Sequence, residues 1–262
     1  MIKLENISVH FGNETILENL SIKFQKGTLT SIIGVNGSGK TTLLKSLLGM
    51  VPFDTGTITI DGENLKTMCR KNRAKKMAYL SQGKNTPDMS VEQLVLHGRF
   101  PYLNYPRIYT KQDYDIAALA MDQMGIKDIS HKSLQQLSGG MCQKAYIAMA
   151  LTQGADYILM DEPTTYLDIS HQLELMKTLR KLADNGKGIL TVMHDLPMAF
   201  TFSDRIILLN NKKIVLDDQP TQIYQNESLR QIFGILLECS PDKTYYSYNY
   251  LPIPNKKEAI AP

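Results

Sequence analysis

The stretch Gly34-Val35-Asn36-Gly37-Ser38-Gly39-Lys40-Thr41-Thr42 decides the fold of this 262-residue chain. It matches the pattern G-x-x-x-x-G-K-[ST], in which glycines stand where a backbone loop has to turn tightly. The β-branched and apolar residues 29–33 come directly before it and are typical of a strand, and residues 43–48 follow it as an apolar helical run. This order of strand, glycine-rich loop and helix predicts an α/β fold.

The residue types in this loop suit a triphosphate. Glycine has no Cβ, so successive backbone N–H groups can turn toward an anion, and the following helix points its positive dipole end at the same place. We expect Lys40 to contact the β- and γ-phosphates of ATP and the Thr41 hydroxyl to ligate Mg²⁺. The predicted ATP-binding residues of the loop are Gly34, Asn36, Gly37, Ser38, Gly39, Lys40, Thr41 and Thr42. A dinucleotide fingerprint is excluded, because G-x-G-x-x-G would need glycine at Thr42.

The bulk composition is that of an ordinary globular protein. Hydrophobic residues make up 43% and charged residues 21%, and the net charge of +3 does not by itself argue for nucleic acid. Cys69, Cys142 and Cys239 form no CxxC pair, which excludes a disulfide scaffold or a zinc knuckle and fits a reducing compartment. There is no signal-peptide core and no run near the roughly 18 apolar residues that span a bilayer. We therefore expect a soluble, cytosolic chain that a partner would have to hold at a membrane.

A helical insertion interrupts the strand-rich first part of the chain. Strands are predicted at residues 2–10, 16–24, 29–33 and 56–60. From about residue 87 the spacing becomes helical. We interpret residues 85–137 as an inserted α-helical subdomain in which residues 98–109 form an ordered loop.

Strands and helices alternate again in the second half of the chain. Strands at residues 157–160 and 189–193 flank a helix at residues 170–183, for which Asp168 is an available N-cap. Such alternation predicts a mostly parallel sheet covered on both faces.

The C-terminal end carries weaker signals. Residues 205–209 and 213–216 are predicted to form a β-hairpin. We expect the main domain to span residues 1–235 and residues 236–262 to form a tail that is partly loose from residue 245 onward. Its tyrosines, Tyr245, Tyr246, Tyr248 and Tyr250, are in a position to cover a sheet edge.

An apolar strand that ends in two carboxylates supplies the second half of the predicted site. Residues 157–162 read Tyr-Ile-Leu-Met-Asp-Glu, and a buried strand would carry Asp161 to the carboxyl edge of the sheet, beside the phosphate loop. Asp161 is expected to hold Mg²⁺, directly or through water. Glu162 points elsewhere and is expected to polarise the attacking water, so that the site hydrolyses ATP.

With these motifs in order, residues 1–235 resemble the ABC-type ATPases, the nucleotide-binding subunits of membrane transporters. The resemblance implies a P-loop NTPase-type, mostly parallel sheet with an N-terminal antiparallel β-subdomain and an inserted α-helical subdomain. It also implies roles for isolated residues. Phe11 corresponds to the aromatic that stacks on adenine, Gln82 to the glutamine loop that senses Mg²⁺ and water, and His194 to the switch histidine at the γ-phosphate. Asp168 corresponds to the D-loop carboxylate.

The resemblance therefore defines two sets of site residues. The catalytic residues are Lys40, Gln82, Glu162 and His194, and the Mg²⁺ ligands are Thr41, Gln82 and Asp161.

A second motif, Leu137-Ser138-Gly139-Gly140, resembles the family's signature and precedes a predicted helix at residues 141–151. Its helix N-terminus is a second anion site in one chain, although Ser138 as a plain N-cap is equally compatible. The resemblance implies that the signature faces the γ-phosphate held by a second copy, so that two chains pack head to tail around two ATP molecules. Met141 and Cys142 depart from the family pattern before Gln143. We expect hydrolysis to survive, but this departure puts the rate and the interface packing in doubt.

Two segments are similar to the importer ATPases for ferric siderophores, haem and cobalamin: residues 162–172, Glu-Pro-Thr-Thr-Tyr-Leu-Asp-Ile-Ser-His-Gln, and residues 91–101. The similarity implies two such chains at the cytoplasmic face of the membrane, beneath two membrane-spanning permease subunits. An external solute-binding protein would deliver the cargo, an iron(III)–siderophore complex. A groove near residues 82–90 would receive a permease helix.

Other classes of protein remain to be weighed. A non-transport ABC ATPase, such as an iron–sulfur-cluster assembly ATPase, has a similar size, but residues 168–172 argue against it. A nucleotide-regulated binding module without turnover would need Glu162 to be dispensable. The basic residues 70–76 are typical of a solvated helix face rather than of a nucleic-acid site, so no nucleic-acid partner is expected.

Overall fold

Twelve strands and nine α-helices occupy residues 1–81, 87–165 and 167–251, the part of the chain that this computed structural model describes. The strands are β1 (Ile2–Phe11), β2 (Glu14–Phe24), β3 (Leu29–Ile33), β4 (Thr55–Ile60), β5 (Glu63–Asn64), β6 (Met77–Leu80), β7 (Tyr157–Asp161), β8 (Gly188–Val192), β9 (Arg205–Asn210), β10 (Lys213–Asp218), β11 (Ile235–Cys239) and β12 (Tyr246–Tyr250). The helices are α1 (Lys40–Leu47), α2 (Arg70–Lys76), α3 (Val91–Leu96), α4 (Lys111–Gln123), α5 (Gly139–Thr152), α6 (Ile169–Asp184), α7 (Leu196–Phe202), α8 (Pro220–Ile223) and α9 (Glu227–Phe233). Short 3-10 helices lie at His97–Tyr102, Lys127–Ile129 and Leu134–Gln136.

The central sheet has six strands in the order β10-β9-β3-β8-β7-β6. Every neighbouring pair is parallel except β9 and β10, which form the predicted hairpin. The inner strands β3, β7 and β8 are buried at every residue, which explains why apolar or small residues make up all of them except Asp161 at the end of β7. The predicted mostly parallel sheet, covered on both faces, is confirmed.

A four-stranded antiparallel sheet, β2-β1-β4-β5, covers one side of the central sheet together with α1. The alternation along β3 separates two hydrophobic clusters. Ile32 packs with this antiparallel sheet, whereas Leu29 and Ile33 face the cluster that contains the helices. The N-terminal antiparallel β-subdomain implied by the resemblance is therefore present.

The predicted helical region consists of α3 and α4, which pack against each other and against α5. Ala117, Ala120 and Met121 of α4 are buried at helical spacing. The proposed start of the insertion at residue 85 lies outside the described residues, so the bounds 85–137 stay a prediction. No helix in residues 1–81, 87–165 and 167–251 is long and apolar enough to cross a membrane.

The predicted loop at residues 98–109 is wrong at its start, because His97–Tyr102 forms a 3-10 helix. Arg99 fixes this helix from two sides. Its Nε donates to Asp113 Oδ1 at 2.8 Å, and its guanidinium lies 3.8 Å from the centre of the Tyr102 ring. The ion pair is with a residue of α4, so no local pattern could indicate it.

The expectation of a loose tail from residue 245 is wrong as far as residue 251. Strand β12 pairs with β11 in a two-stranded antiparallel sheet of its own, so its tyrosines do not extend another sheet. Tyr246 is buried against Phe200 and Tyr224, with ring centres 5.5 Å and 5.7 Å away, and its N–H donates to Thr201 Oγ1 at 3.1 Å. Residues 252–262 lie outside the described residues, and the domain boundary at residue 235 stays a prediction.

Candidate active site

The glycine-rich loop connects β3 to α1 at the carboxyl edge of the central sheet. Gly34 and Gly39 have φ angles of +153° and +101°, in the range that favours glycine. A Cβ at Gly34 would lie 2.1 Å from the Leu209 carbonyl oxygen, and one at Gly39 would lie 2.6 Å from the Leu17 side chain. Both the backbone conformation and the surrounding atoms therefore require glycine at these two positions.

Two buried polar side chains of the loop, those of Lys40 and Ser38, are suited to bind an anion. Lys40 is only 6% exposed, and its Nζ donates to the carbonyl oxygens of Gly34 and Val35 at 2.8 Å and 2.9 Å. Burial lowers the pKa of Lys40, and the carboxylates of Glu162 and Asp161 oppose that effect. The buried Ser38 hydroxyl has no hydrogen-bond partner among the described atoms. A bound phosphate would satisfy this hydroxyl and pair the buried charge, so the residues present fit a nucleotide.

Asp161 lies at the end of β7 and touches the phosphate loop. Its Oδ1 accepts a hydrogen bond from Thr41 Oγ1 at 3.1 Å, and its Oδ2 lies 3.5 Å from the Tyr79 hydroxyl. Burial raises the pKa of Asp161, and the bond from Thr41 partly offsets this. Burial also raises the pKa of Tyr79 to about 12, so that its hydroxyl stays a donor. Thr41 and Asp161 thus place two oxygen atoms together, the donor type that hard divalent cations take.

Glu162 turns away from Asp161 toward His194. Its backbone has φ +50°, an uncommon left-handed conformation for a residue other than glycine. Its Oε1 lies 2.5 Å from His194 Nε2, its Oε2 accepts from Thr165 Oγ1 at 3.2 Å, and its N–H donates to the Val192 carbonyl at 3.2 Å. Two side chains thus hold the carboxylate and the bond to Val192 holds its backbone, an arrangement well suited to orient and deprotonate a water molecule.

The predicted signature and D-loop residues both lie at helix N-termini. Ser138 is the N-cap of α5 and accepts from the Met141 N–H at 3.3 Å, and Gln143 is buried on the same helix. Asp168 is the N-cap of α6, as predicted, and accepts from the His171 N–H at 2.9 Å. Hydrogen bonds from His171 and Ser170 lower the pKa of Asp168 to about 2. The cap of α5 is a neutral hydroxyl, which leaves that helix N-terminus suited to an anion, whereas the cap of α6 is itself an anion.

The structure brings some predicted residues together and leaves others apart. The loop, Thr41, Asp161, Glu162 and His194 share one edge of the central sheet, which is the geometry that their motifs predict. The remaining predicted residues stand elsewhere or are not described: Phe11 is half exposed at the end of β1, Leu137, Ser138, Gly139, Gly140 and Gln143 belong to the start of α5, and Gln82 lies outside the described residues. Their contacts with a nucleotide stay predictions.

Sequence reasoning missed three residues that contact this machinery: Tyr79, Thr165 and His171. The contact of Tyr79 depends on the pairing of β6 with β7, which the sequence did not predict. Tyr79 lies on β6 and pairs with Leu159 of β7, two residues before Asp161. Thr165 and His171 follow their partners by three residues in loop and helix-start conformations, which leave no periodic pattern.

The fold and the site together define a P-loop ATPase with the architecture of an ATP-binding cassette. The family described as ABC transporter matches residues 17–165, more than half of the chain. The chain is 39% identical over 239 residues to the petrobactin import ATP-binding protein YclP of Bacillus subtilis (strain 168), covering 90% of this chain and 94% of the relative. It is 34% identical over 264 residues to the iron(3+)-hydroxamate import ATP-binding protein FhuC of the same organism, covering 99% and 98%.

A solved structure supports the same classification. The dimeric structure of MJ0796, a bacterial ABC transporter cassette, superimposes with a TM-score of 0.73 at 27% identity, covering 84% of this chain and 99% of that chain. The chain belongs to the ABC transporter family and is an ABC ATPase.

Proposed function

We propose that this chain is the ATP-binding and ATP-hydrolysing subunit of an ABC importer that energises the uptake of an iron(III)–siderophore complex. The single observation that carries the catalytic part is the pair formed by Glu162 and His194, 2.5 Å apart beside the phosphate loop. The cargo is inferred from relatives, because the names of YclP and FhuC refer to the import of petrobactin and of iron(3+)-hydroxamates.

Mg²⁺ is the cation that we propose for the oxygen atoms of Thr41 and Asp161, with Gln82 as a third contact. When bound, Mg²⁺ supplies positive charge against the developing charge on the phosphates. The Lys40 ammonium now donates to two carbonyls of the loop. With nucleotide bound, it would donate to the β- and γ-phosphates instead. Glu162 would accept the proton of the attacking water, and His194 would contact the γ-phosphate.

A second copy of the chain completes the proposed site. Ser138–Gly140 would meet the ATP held by the partner's phosphate loop, because they begin a helix whose N-terminus suits an anion. Asp168, the D-loop carboxylate at the start of α6, would lie at the interface with the second copy. The proposed signature also includes Leu137 and the buried Gln143, and the half-exposed Phe11 is available to stack on adenine. The similarity to a cassette solved as a dimer supports this arrangement.

Two permease subunits would hold the dimer at the cytoplasmic face of the membrane, with an external solute-binding protein supplying the cargo. A groove beside β6 is a candidate docking site for a permease helix. It is lined by Met50, which follows α1, by Arg70 and Arg73 of α2, and by Tyr79 and Gln153. Tyr79 lies in the strand that precedes residues 82–90 in the sequence, where the permease contact is predicted.

Uptake of radiolabelled iron tests this proposal. A strain that lacks the chain should lose accumulation of iron(III)–petrobactin or an iron(III)–hydroxamate, and the wild-type chain should restore it while Glu162→Gln does not. Affinity purification should recover the chain with polytopic membrane proteins in detergent. Normal siderophore uptake in the deletion strain, or recovery with a soluble iron–sulfur scaffold, would contradict the transport role.

A further inference from the structure

His171 lies between Asp168 and Gly140, two residues that the proposed function places at the interface with a second copy. It belongs to the first turn of α6, and its Nδ1 lies 2.8 Å from Asp168 Oδ2. The opposite edge of its ring faces the start of α5. A Cβ at Gly140 would lie 2.2 Å from the imidazole Cδ2 and 2.9 Å from Nε2. The ring therefore fills the space between the D-loop carboxylate and the signature backbone.

The presence of glycine at position 140 follows from this contact. Gly140 lies within α5 and is not among the glycines with positive φ, so its backbone conformation does not require glycine. Glycine is also a weaker helix former than alanine. Any Cβ at this position would have to displace a ring that is already held by Asp168. The close approach of α5 and α6 thus depends on the pairing of Gly140 with His171.

The bond between Asp168 and His171 has a defined direction. The hydrogen bonds that reach Asp168 hold its pKa at about 2, so the carboxylate is ionised and can only accept. Nδ1 of His171 is therefore the donor, and Asp168 fixes the ring plane that rests on Gly140. Glu174, one turn after His171 on α6, forms an ion pair with Lys144 of α5 at 2.7 Å, which is a second contact between the same two helices.

We propose that His171 is a positioning residue that joins Asp168 and Gly140 into one rigid surface for the ATP held by a second copy. This role rests on the proposed head-to-tail dimer. It predicts that His171 acts on the partner's site rather than on its own, because His171 contacts the signature and the D-loop and not the phosphate loop. Loss of the side chain should therefore impair dimer closure while each monomer still binds ATP.

The experiment uses the Glu162→Gln chain as parent, because this variant should not hydrolyse ATP and the dimer should therefore not dissociate. Two substitutions are added separately. His171→Ala removes both contacts, whereas His171→Asn places an amide nitrogen where Nδ1 donates. The matched control is Arg180→Gln on the same helix, which breaks bonds to Asp184 and Asp204 away from the signature. ATP affinity is measured at low protein concentration with a fluorescent ATP analogue, and dimer formation with Mg-ATP is measured by light scattering.

His171→Ala should raise the protein concentration needed for half-dimerisation about tenfold or more, the loss expected for one charge-assisted hydrogen bond. Its ATP affinity should change less than about twofold. His171→Asn should recover most of the dimerisation, and Arg180→Gln should dimerise like the parent. Dimerisation of His171→Ala at the parent's concentration, or a parallel loss of ATP affinity, overturns the role of His171 alone. A parent that stays monomeric with Mg-ATP overturns the proposed dimer, and this role with it.

Discussion

Glu162 Oε1 and His194 Nε2 lie 2.5 Å apart at the carboxyl ends of the neighbouring parallel strands β7 and β8. The left-handed backbone of Glu162 aims its side chain toward His194, whereas Asp161, one residue earlier, reaches Thr41. A strained residue of this kind costs about 1–3 kcal/mol and persists only where its surroundings hold it. Here the bonds from Thr165 and to Val192 do so. Two adjacent carboxylates thus acquire separate tasks.

Glu162→Gln should reduce the rate of ATP hydrolysis by about 100-fold or more, since an amide cannot accept the proton of the attacking water. ATP binding should persist, because Lys40 and the loop are untouched. Phosphate release and nucleotide binding are the measurements. Thr165→Val is the control, because it removes only the 3.2 Å bond to Glu162 Oε2 and should cost less than about tenfold. Turnover of Glu162→Gln above a tenth of the wild-type rate would show that Glu162 is not the base.

Lys40→Ala should weaken ATP binding by about 10- to 100-fold, the loss expected for charge-assisted hydrogen bonds to phosphate. Without nucleotide, the variant loses the bonds to the Gly34 and Val35 carbonyls and the attraction of Glu162 and Asp161, but it no longer buries a charge. These effects oppose each other, so its melting temperature should stay close to that of the wild type. Titration with a fluorescent ATP analogue and thermal melting with and without Mg-ATP measure both quantities. Lys177→Ala, which removes an exposed lysine from α6, should leave both unchanged. An unchanged affinity of Lys40→Ala would argue against phosphate binding at this loop.

The sequence was most informative where local pattern and chemistry coincide. Residues 34–42 specify their own turn, so that strand, loop and helix could be predicted without tertiary information. The strand that ends at Asp161 could be predicted because both faces of a parallel sheet are buried, which leaves a continuous apolar run. The capping of α6 by Asp168 followed in the same way from the preference of carboxylates for exposed N–H groups.

The remaining features depend on contacts between distant residues. Tyr246 has no apolar neighbours in sequence that mark a core strand, and its burial requires Phe200 of α7 and Tyr224. The glycine at position 140 makes sense only beside His171, which follows it by 31 residues and lies on the next helix. A left-handed φ at Glu162 has no signal in a sequence that ends a regular strand. Such features arise from packing, which a single sequence does not encode locally.

Tyr246→Ala should destabilise the protein by about 3 kcal/mol, because it removes a buried ring that packs between Phe200 and Tyr224. For a chain of this size the melting temperature should fall by about 6–12 °C. Tyr250→Ala is the matched control in the same strand, since Tyr250 is 77% exposed and should cost less than about 0.5 kcal/mol. Equal melting temperatures for the two variants would mean that the β11–β12 hairpin contributes nothing to the core.

Asp161→Asn should make the nucleotide-free protein more stable and at the same time abolish ATP hydrolysis. Burial raises the pKa of Asp161 above its usual 3.8, so the folded protein carries the ionised carboxylate at a cost near neutral pH. The amide removes that charge and can still accept from Thr41, so without nucleotide the variant should melt at a higher temperature than the wild type at pH 7. This gain in stability should shrink as the pH falls through the raised pKa of Asp161 in the folded protein. It should vanish below 3.8, where the wild-type carboxyl is neutral in both states.

Mg-ATP should stabilise the wild type more than Asp161→Asn, because the neutral amide is a weaker ligand for the cation than the carboxylate, and hydrolysis should be lost. A lower melting temperature of Asp161→Asn at pH 7 would mean that the carboxylate is stabilised in the folded protein, contrary to the direction of its pKa.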